Sequence, residues 1–107
     1  MLKYILDTDI SIYTIKRKPL HIRRIFNAHT GQLCISTVTF GELIYGAEKS
    51  QQKERNLRDV EGFAARLEIE DFDKHAFQQF GQVKTELEQS GSIIDPYDMM
   101  MAGHARS

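Results

Sequence analysis

Short apolar runs alternate along this chain with segments in which apolar residues recur every three or four positions. The short runs are Lys3 to Leu6 and Leu33 to Ile35, and an alternating apolar and polar segment covers Leu67 to Phe72. Short or alternating runs are typical of β-strands, whereas the wider spacing is typical of amphipathic helices. The pattern therefore predicts three strands separated by helices.

Helices are predicted where apolar positions share one face and polar residues bound the segment. Asp7-Thr8-Asp9 offers a cap to a first helix, which Lys18-Pro19 interrupts. Leu20, Ile22, Ile25 and Phe26 support a second helix that ends before Gly31. Ser36-Thr37 caps the helix that carries Glu42. Later helices are predicted from about Gln52, from Asp73 to Gln89 and from Pro96 through His104, and the predicted inward positions include Phe40, Leu43, Ile44, Ala47, Leu57, Val60, Ala64, Ala76, Phe80, Val83 and Leu87.

Strands that alternate with helices predict an α/β fold with a parallel central sheet, right-handed crossovers and helices on its faces. Functional groups in such sheets collect beyond the carboxyl ends of the strands. Asp7 follows the first predicted strand, and Glu42 lies about two turns into the helix after the second. We therefore expect both carboxylates to face the same crevice.

Three acidic residues in apolar surroundings are the candidate site: Asp7, Glu42 and Asp98. Burying an unpaired carboxylate is costly, so such groups are usually paired, protonated or bound to metal. Mg²⁺ prefers oxygen ligands and keeps several waters, so a few carboxylates around a cleft suffice to hold it near a phosphate. Each acid also has a structural alternative: Asp7 as a helix cap, Glu42 as a surface residue, and Asp98 as a partner of a helix dipole.

Composition narrows the class of protein. The chain has 107 residues, 41% apolar and 27% charged, with a net charge of -1, which suits one globular domain and disfavours a strongly basic nucleic-acid binder. Two local concentrations of basic residues are either solvated surface or a binding patch: Lys16-Arg17-Lys18 with Arg23-Arg24, and Lys49, Lys53, Arg55 and Arg58. Cys34 is the single cysteine, and the absence of a long apolar run predicts no membrane span and a cytoplasmic location.

Two further acids adjoin the candidate site. Asp9 is either a supporting acid or the true cap of the first helix, and Asp95, just before Pro96, is expected to be a turn or capping residue. The four histidines share no metal-ligand spacing and are expected on the surface or in ordinary packing. Met99-Met100-Met101 is expected to fill the core.

In these residues the chain resembles the PIN-domain ribonucleases, and within them the VapC-type toxins of bacterial toxin-antitoxin pairs. The resemblance is carried by Met1 to Thr8, by Cys34-Ile35-Ser36 leading to Glu42 through Ser50, and by Pro96-Tyr97-Asp98 leading to Ala102 through Ser107. It covers essentially the whole chain.

The resemblance implies a PIN-like three-layer α/β/α fold and an endoribonuclease toxin that cleaves structured RNA, including transfer RNA in some members. It implies that Asp7, Glu42 and Asp98 hold Mg²⁺ or Mn²⁺, with Thr8, Asp9 and Asp95 in supporting positions. The implied partners are a VapB-like antitoxin and a second toxin copy, in a homodimer or a toxin-antitoxin hetero-oligomer.

The sequence departs from the family pattern at Asp9, where Asn is usual, and at Asp95, where Gly is common. Similar proteins also continue beyond Ser107, so residues 1–107 are expected to be a single PIN-like domain that lacks its C-terminal strands, with the edge of the first strand left open. These departures favour one alternative, an inactive PIN-like module that binds another protein. A second alternative is a phosphatase similar to haloacid dehalogenases, because Asp7-Thr8-Asp9 also resembles their nucleophile motif.

Overall fold

The computed structural model describes residues 4–16, 24, 27–28, 31–92 and 94–107. The chain forms two compact units, Met1–Glu70 and Asp71–Ser107. The predicted second helix, which ends before Gly31, falls largely outside the described residues, as does most of the first basic concentration. No helix in the described ranges combines the length and apolar character needed to cross a bilayer.

A three-stranded parallel sheet organises the first unit. Its strands are β1 (Tyr4–Leu6), β2 (Leu33–Ser36) and β3 (Glu68–Glu70), in that spatial order. Ile5 aligns with Cys34, and Cys34 with Glu68. The predicted α/β alternation and parallel pairing are therefore confirmed. Among the described residues β1 pairs with β2 alone, so β1 is an edge strand.

Three described helices connect and cover these strands: α1 (Thr8–Lys16), α2 (Thr37–Glu48) and α3 (Lys53–Ala64). The predicted cap of α2 is confirmed, because the Ser36 side chain accepts a 3.1 Å hydrogen bond from the Val38 amide. Ser36 also ends β2. The turn from strand to helix is thus a single residue, which fixes where the first turns of α2 begin.

The core of the first unit lies between β2 and the inward faces of α2 and α3. Ile35 is fully buried, and the inward positions predicted for α2 at Leu43 and Ala47 are confirmed. The alternating pattern was a poorer guide to burial at β3, because the apolar residue Ile69 is 40% exposed. Within the described residues β3 has a neighbouring strand on one side only, so less of its surface is covered. The buried core cluster is Leu33, Ile35, Leu43, Ala47, Val60 and Phe63.

The second unit is a pair of packed helices, α4 (Lys74–Gln89) and α5 (Pro96–Arg106). The side chain of Asp73 caps α4 by accepting a 2.9 Å hydrogen bond from the Ala76 amide. Ser90 caps the C-terminal end of α4, and Gly91 takes the positive φ of 73° that the turn requires. The predicted bounds of this helix and its buried face at Ala76 and Val83 are confirmed.

Close approach of the two helices depends on Gly103. A Cβ atom at this position would lie 2.6 Å from the backbone nitrogen of Phe80. His104, the next residue, is 9% exposed, and its ring makes an edge-to-face contact with Phe72 at 5.1 Å between centroids. The expected packing role of this histidine is therefore confirmed. Met99 and Met101 are also buried, as predicted for this helix.

Candidate active site

Asp7 follows β1 directly and caps α1. Its Oδ1 accepts a 2.9 Å hydrogen bond from the Ile10 amide, and its carbonyl oxygen accepts bonds from the amide and hydroxyl of Ser11. These contacts hold both the main chain and the side chain of Asp7. The residue is exposed, and in the described part of the chain its Oδ2 has no hydrogen-bond partner. The capping hydrogen bond therefore holds Oδ1 in place, while Oδ2 is available to bind a ligand.

Glu42 lies in α2 and is tied to the neighbour of Asp7. The hydroxyl of Thr8 donates a 3.0 Å hydrogen bond to Oε2 of Glu42, between residues 34 positions apart. Because β1 and β2 are parallel neighbours, the segments after them emerge at the same end of the sheet. The structure thus brings together the segments that carry two of the predicted acids, Asp7 and Glu42.

Asp98 is an exposed residue in the first turn of α5, in the second compact unit. Its position near a helix N-terminus suits a carboxylate, as the dipole alternative expects. Among the residues that the structure describes, no group of three or more acidic, histidine or cysteine side chains is arranged to hold a metal ion. The three-acid cluster therefore stays a prediction.

The two supporting acids take different places. Asp95 caps α5, since its Oδ1 accepts a 2.8 Å hydrogen bond from the Tyr97 amide, and this confirms its expected capping role. Asp9 is exposed in the first turn of α1. Because Asp7 makes the capping bond, the alternative that Asp9 is the true cap is wrong.

The donor set around Asp7 suits a hard divalent ion. Asp7 and Glu42 each present carboxylate oxygens at the surface, and the Thr8 hydroxyl holds one of them in place. Oxygen ligands of this kind are preferred by Mg²⁺, which also keeps several waters and so needs few protein groups. The thiol of Cys34 is buried in β2, so it does not belong to this set of oxygen ligands.

A groove of about 1020 Å³ opens beside Glu42 between α1, α2 and α3. Four basic and two acidic side chains line it, so its wall is net positive although the whole chain carries -1. Its floor is apolar. The charged lining residues are Lys16, Glu42, Arg55, Arg58, Asp59 and Arg66, and the apolar ones include Ile12, Ile15, Leu43, Val60 and Phe63.

Sequence reasoning missed Arg66 as a member of this surface. Arg66 lies just beyond α3, and its guanidinium donates a 3.1 Å hydrogen bond to the Asn27 side chain. Helical spacing gave no signal for it, because Arg66 lies outside α3, although it lines the same groove as Arg55 and Asp59. Of the second predicted basic concentration, Arg55 and Arg58 line the groove, while Lys53 is paired with Glu48 at 2.9 Å.

Comparison with known proteins places this chain in a family. The PIN domain family matches residues 4–107. A relative from Shigella flexneri, named tRNA(fMet)-specific endonuclease VapC, is 53% identical over 107 residues, which span all of this chain and 81% of the relative.

Solved structures that are similar to this chain point to the same family. The DNA-bound VapBC complex from Salmonella typhimurium matches with a TM-score of 0.92 and 55% identity, over 98% of this chain and 80% of that one. VapBC2 from Rickettsia felis, bound to a DNA fragment from its promoter, matches with a TM-score of 0.90 and 36% identity, over 97% and 80% of the two chains. The chain therefore belongs to the PIN domain family and, within it, to the VapC toxins.

Family membership confirms the PIN-like α/β fold that the sequence predicted. It also sets aside the haloacid dehalogenase alternative, because the matching family covers the Asp7-Thr8-Asp9 segment on which that alternative depended. The domain assignment of residues 1–107 and the expected lack of C-terminal strands stay predictions.

Proposed function

We propose that this chain is a metal-dependent endoribonuclease and the toxin of a type II toxin-antitoxin pair. The observation that carries the proposal is the Thr8–Glu42 hydrogen bond, which joins the acidic turn after β1 to the acidic helix after β2. The endonuclease name of the Shigella flexneri relative supports the activity. In a PIN-domain chain, paired acids at this end of the sheet are where a phosphodiester would be hydrolysed.

Asp7, Glu42 and Asp98 are the proposed ligands of a divalent ion, Mg²⁺ or Mn²⁺. When bound, such an ion neutralises charge developing on the phosphate and makes a water nucleophilic near neutral pH. The chain supplies the positioning. Ile10 holds Asp7, Thr8 holds Glu42, and the Asp95 cap fixes the first turn of α5 on which Asp98 lies. Asp9 adds negative charge one helical position beyond Thr8.

The proposed substrate is structured RNA, with transfer RNA as the first candidate because of the relative's printed specificity. The positive groove beside Glu42 supports this choice, since arginine and lysine side chains contact phosphates and give most of the affinity for nucleic acids. The activity would be exerted in the cytoplasm, where such RNA occurs.

A VapB-like antitoxin is the proposed partner, in a toxin-antitoxin hetero-oligomer that contains a toxin homodimer. The similar solved structures are VapBC complexes, and two of them are bound to DNA. We therefore also propose that the pair regulates its own promoter. Size determination of the co-expressed pair, with and without promoter DNA, tests this assembly.

Cleavage of purified transfer RNA tests the enzyme proposal. We expect Asp7→Asn, Glu42→Gln and Asp98→Asn each to lower the rate by about 100-fold or more, because loss of a ligand exceeds the 10- to 100-fold cost typical of residues that support ligands. Glu61→Gln, on the exposed surface of α3, is the matched control and should cleave normally. Chelation should abolish cleavage, and added Mg²⁺ or Mn²⁺ should restore it. Undiminished activity of the three variants would overturn the proposal.

The second candidate is an inactive PIN-like module that binds another protein. The departures from the family pattern at Asp9 and Asp95 favour it. Calorimetric titration with Mn²⁺ separates the two functions, because an enzyme site should bind the ion saturably and lose this binding in Glu42→Gln. A flat titration together with tight antitoxin binding would favour the module.

A further inference from the structure

An exposed aromatic ring lies on the same helix as Glu42. Tyr45 is 65% exposed, more than any other large apolar or aromatic side chain that the structure describes. Burial of apolar surface is favourable, so a large exposed ring next to a functional acid is informative. Nothing in the folding of α2 requires it, because the buried face of this helix consists of Thr39, Leu43 and Ala47.

Helix geometry aligns this ring with the acid. Glu42, Tyr45 and Lys49 are three and then four positions apart, so they lie along one face. The helical rise places Tyr45 about 4.5 Å farther along the axis than Glu42, and Lys49 about 6 Å beyond Tyr45. Lys49 is the C-cap of α2 and stays in the right-handed region, with φ of -86° and ψ of -3°, so the stripe ends with it.

Lys49 supplies a cation at this ring. Its Nζ lies 4.8 Å from the centroid of the Tyr45 ring, a cation–π distance. Among the described residues Lys49 has no carboxylate partner, whereas nearby Lys53 is paired with Glu48 at 2.9 Å. The charge of Lys49 is therefore available to an external anion, directly beside the exposed ring.

We propose that Tyr45 stacks against an unpaired base of the RNA substrate next to the scissile phosphate, while Lys49 contacts a neighbouring phosphate. This inference rests on the proposed function, since it places the base beside the acids. Unstacked bases are recognised by aromatic side chains, and such stacking tolerates different base identities. The neighbours of Tyr45 on the helix surface are charged or small rather than apolar, which suits a base and phosphate better than an apolar protein anchor: Gly41, Glu42, Glu48 and Lys49.

Fluorescence can test the stacking directly, because the chain contains no tryptophan. In Tyr45→Trp the introduced indole is the only one, and its emission should be quenched by short single-stranded RNA in the absence of divalent ions. Fully paired RNA should quench it much less, and inorganic polyphosphate, which has charge but no bases, should leave it unchanged. RNA bound by anisotropy without quenching, or equal quenching by polyphosphate, would overturn the inference.

Cleavage kinetics give a second and independent test. Tyr45→Ala and Tyr45→Leu should raise KM about five-fold or more, the lower end of the cost of losing one stacked base, whereas Tyr45→Phe should match the wild type. Lys49→Gln should raise KM and weaken its salt dependence, and the paired Lys53→Gln should do neither. Normal kinetics in every Tyr45 variant of a cleaving enzyme would defeat this inference alone. Quenching in a protein that cleaves no RNA would instead defeat the proposed function alone.

Discussion

The Thr8 hydroxyl donates a hydrogen bond of 3.0 Å to Oε2 of Glu42, and this bond links the start of α1 to the second turn of α2. Thr8 follows Asp7 directly, so a single contact sets the position of one acid relative to the segment that carries another. Such a bond determines geometry more than stability, because the atoms are partly exposed and compete with water.

Removing this donor should therefore affect catalysis more than folding. We expect Thr8→Val, which keeps the branched shape, to lower the RNA cleavage rate by about 10-fold, the equivalent of roughly 1.4 kcal/mol in the barrier. Thr8→Ser retains the hydroxyl and should keep most of the activity. Single-turnover cleavage and thermal unfolding of both variants measure the two effects, and equal activity of Val and Ser variants would contradict the prediction.

The two roles of Asp7 can be separated by substitution. Asn caps helices about as well as Asp, so Asp7→Asn should preserve stability while removing a charged ligand and abolishing cleavage. Asp7→Ala should abolish cleavage and also lower the free energy of unfolding by about 1 kcal/mol. Asp73 caps α4 in the same way, so Asp73→Ala serves as a control that should lose stability but keep cleavage.

The close contact at Gly103 predicts a strong steric effect. An added methyl would lie 2.6 Å from the Phe80 nitrogen and 2.7 Å from its Cα, which are backbone atoms that cannot rotate away. We expect Gly103→Ala to destabilise the protein by about 1–3 kcal/mol or more. Gly81→Ala, in α4 with open space around its Cα, should instead be neutral or stabilise by up to about 1 kcal/mol. Denaturant unfolding of the pair provides the measurement.

Glu86 and Arg106 predict a weak pH dependence of stability. Hydrogen bonding from Arg106, with the attraction of its charge, lowers the pKa of Glu86. A carboxyl whose pKa is lowered by folding adds stability above its ordinary pKa of 4.5, and this contribution is lost as the pH falls through the lower folded pKa. The melting temperature of the wild type should therefore exceed that of Glu86→Gln at neutral pH, and the difference should shrink in acid.

Exposure keeps that effect small, so the comparison needs a control. Glu88→Gln removes the same charge two positions along the helix from Glu86, at another exposed residue. Its melting temperature should differ little from that of the wild type across the same pH range. A difference in melting temperature between the wild type and Glu86→Gln that stays constant down to strongly acid pH would contradict the prediction.

Local sequence signals predicted most of the elements because the capping chemistry was explicit. Ser36, Asp73 and Asp95 each begin a helix by the side-chain bond that their residue type favours. The buried faces of α2 and α4 also followed from helical spacing. These features depend on neighbours within a few residues, which a sequence displays directly.

Features that depend on distant residues were harder to predict. The burial of Phe63 and the exposure of Ile69 reflect which surfaces the sheet and helices cover, and an apolar residue type alone does not show this. The Thr8–Glu42 bond needs β1 beside β2, so sequence reasoning considered Thr8 only as a possible helix cap and, through the family resemblance, as a supporting residue. The predicted site at Asp7 and Glu42 rested on the general rule for strand ends, which the parallel pairing satisfies.

The buried position of Cys34 makes its thiol a natural probe of the opening of the first unit. The single cysteine lies in the middle strand with 4% of its surface exposed, between Ile5 on one side and Glu68 on the other. A thiol reagent can react with it only after the strands separate, so the labelling rate reports opening of the sheet. The helices of the second unit contain no thiol and stay silent in the same experiment. Opening of the first unit can thus be timed without any engineered probe.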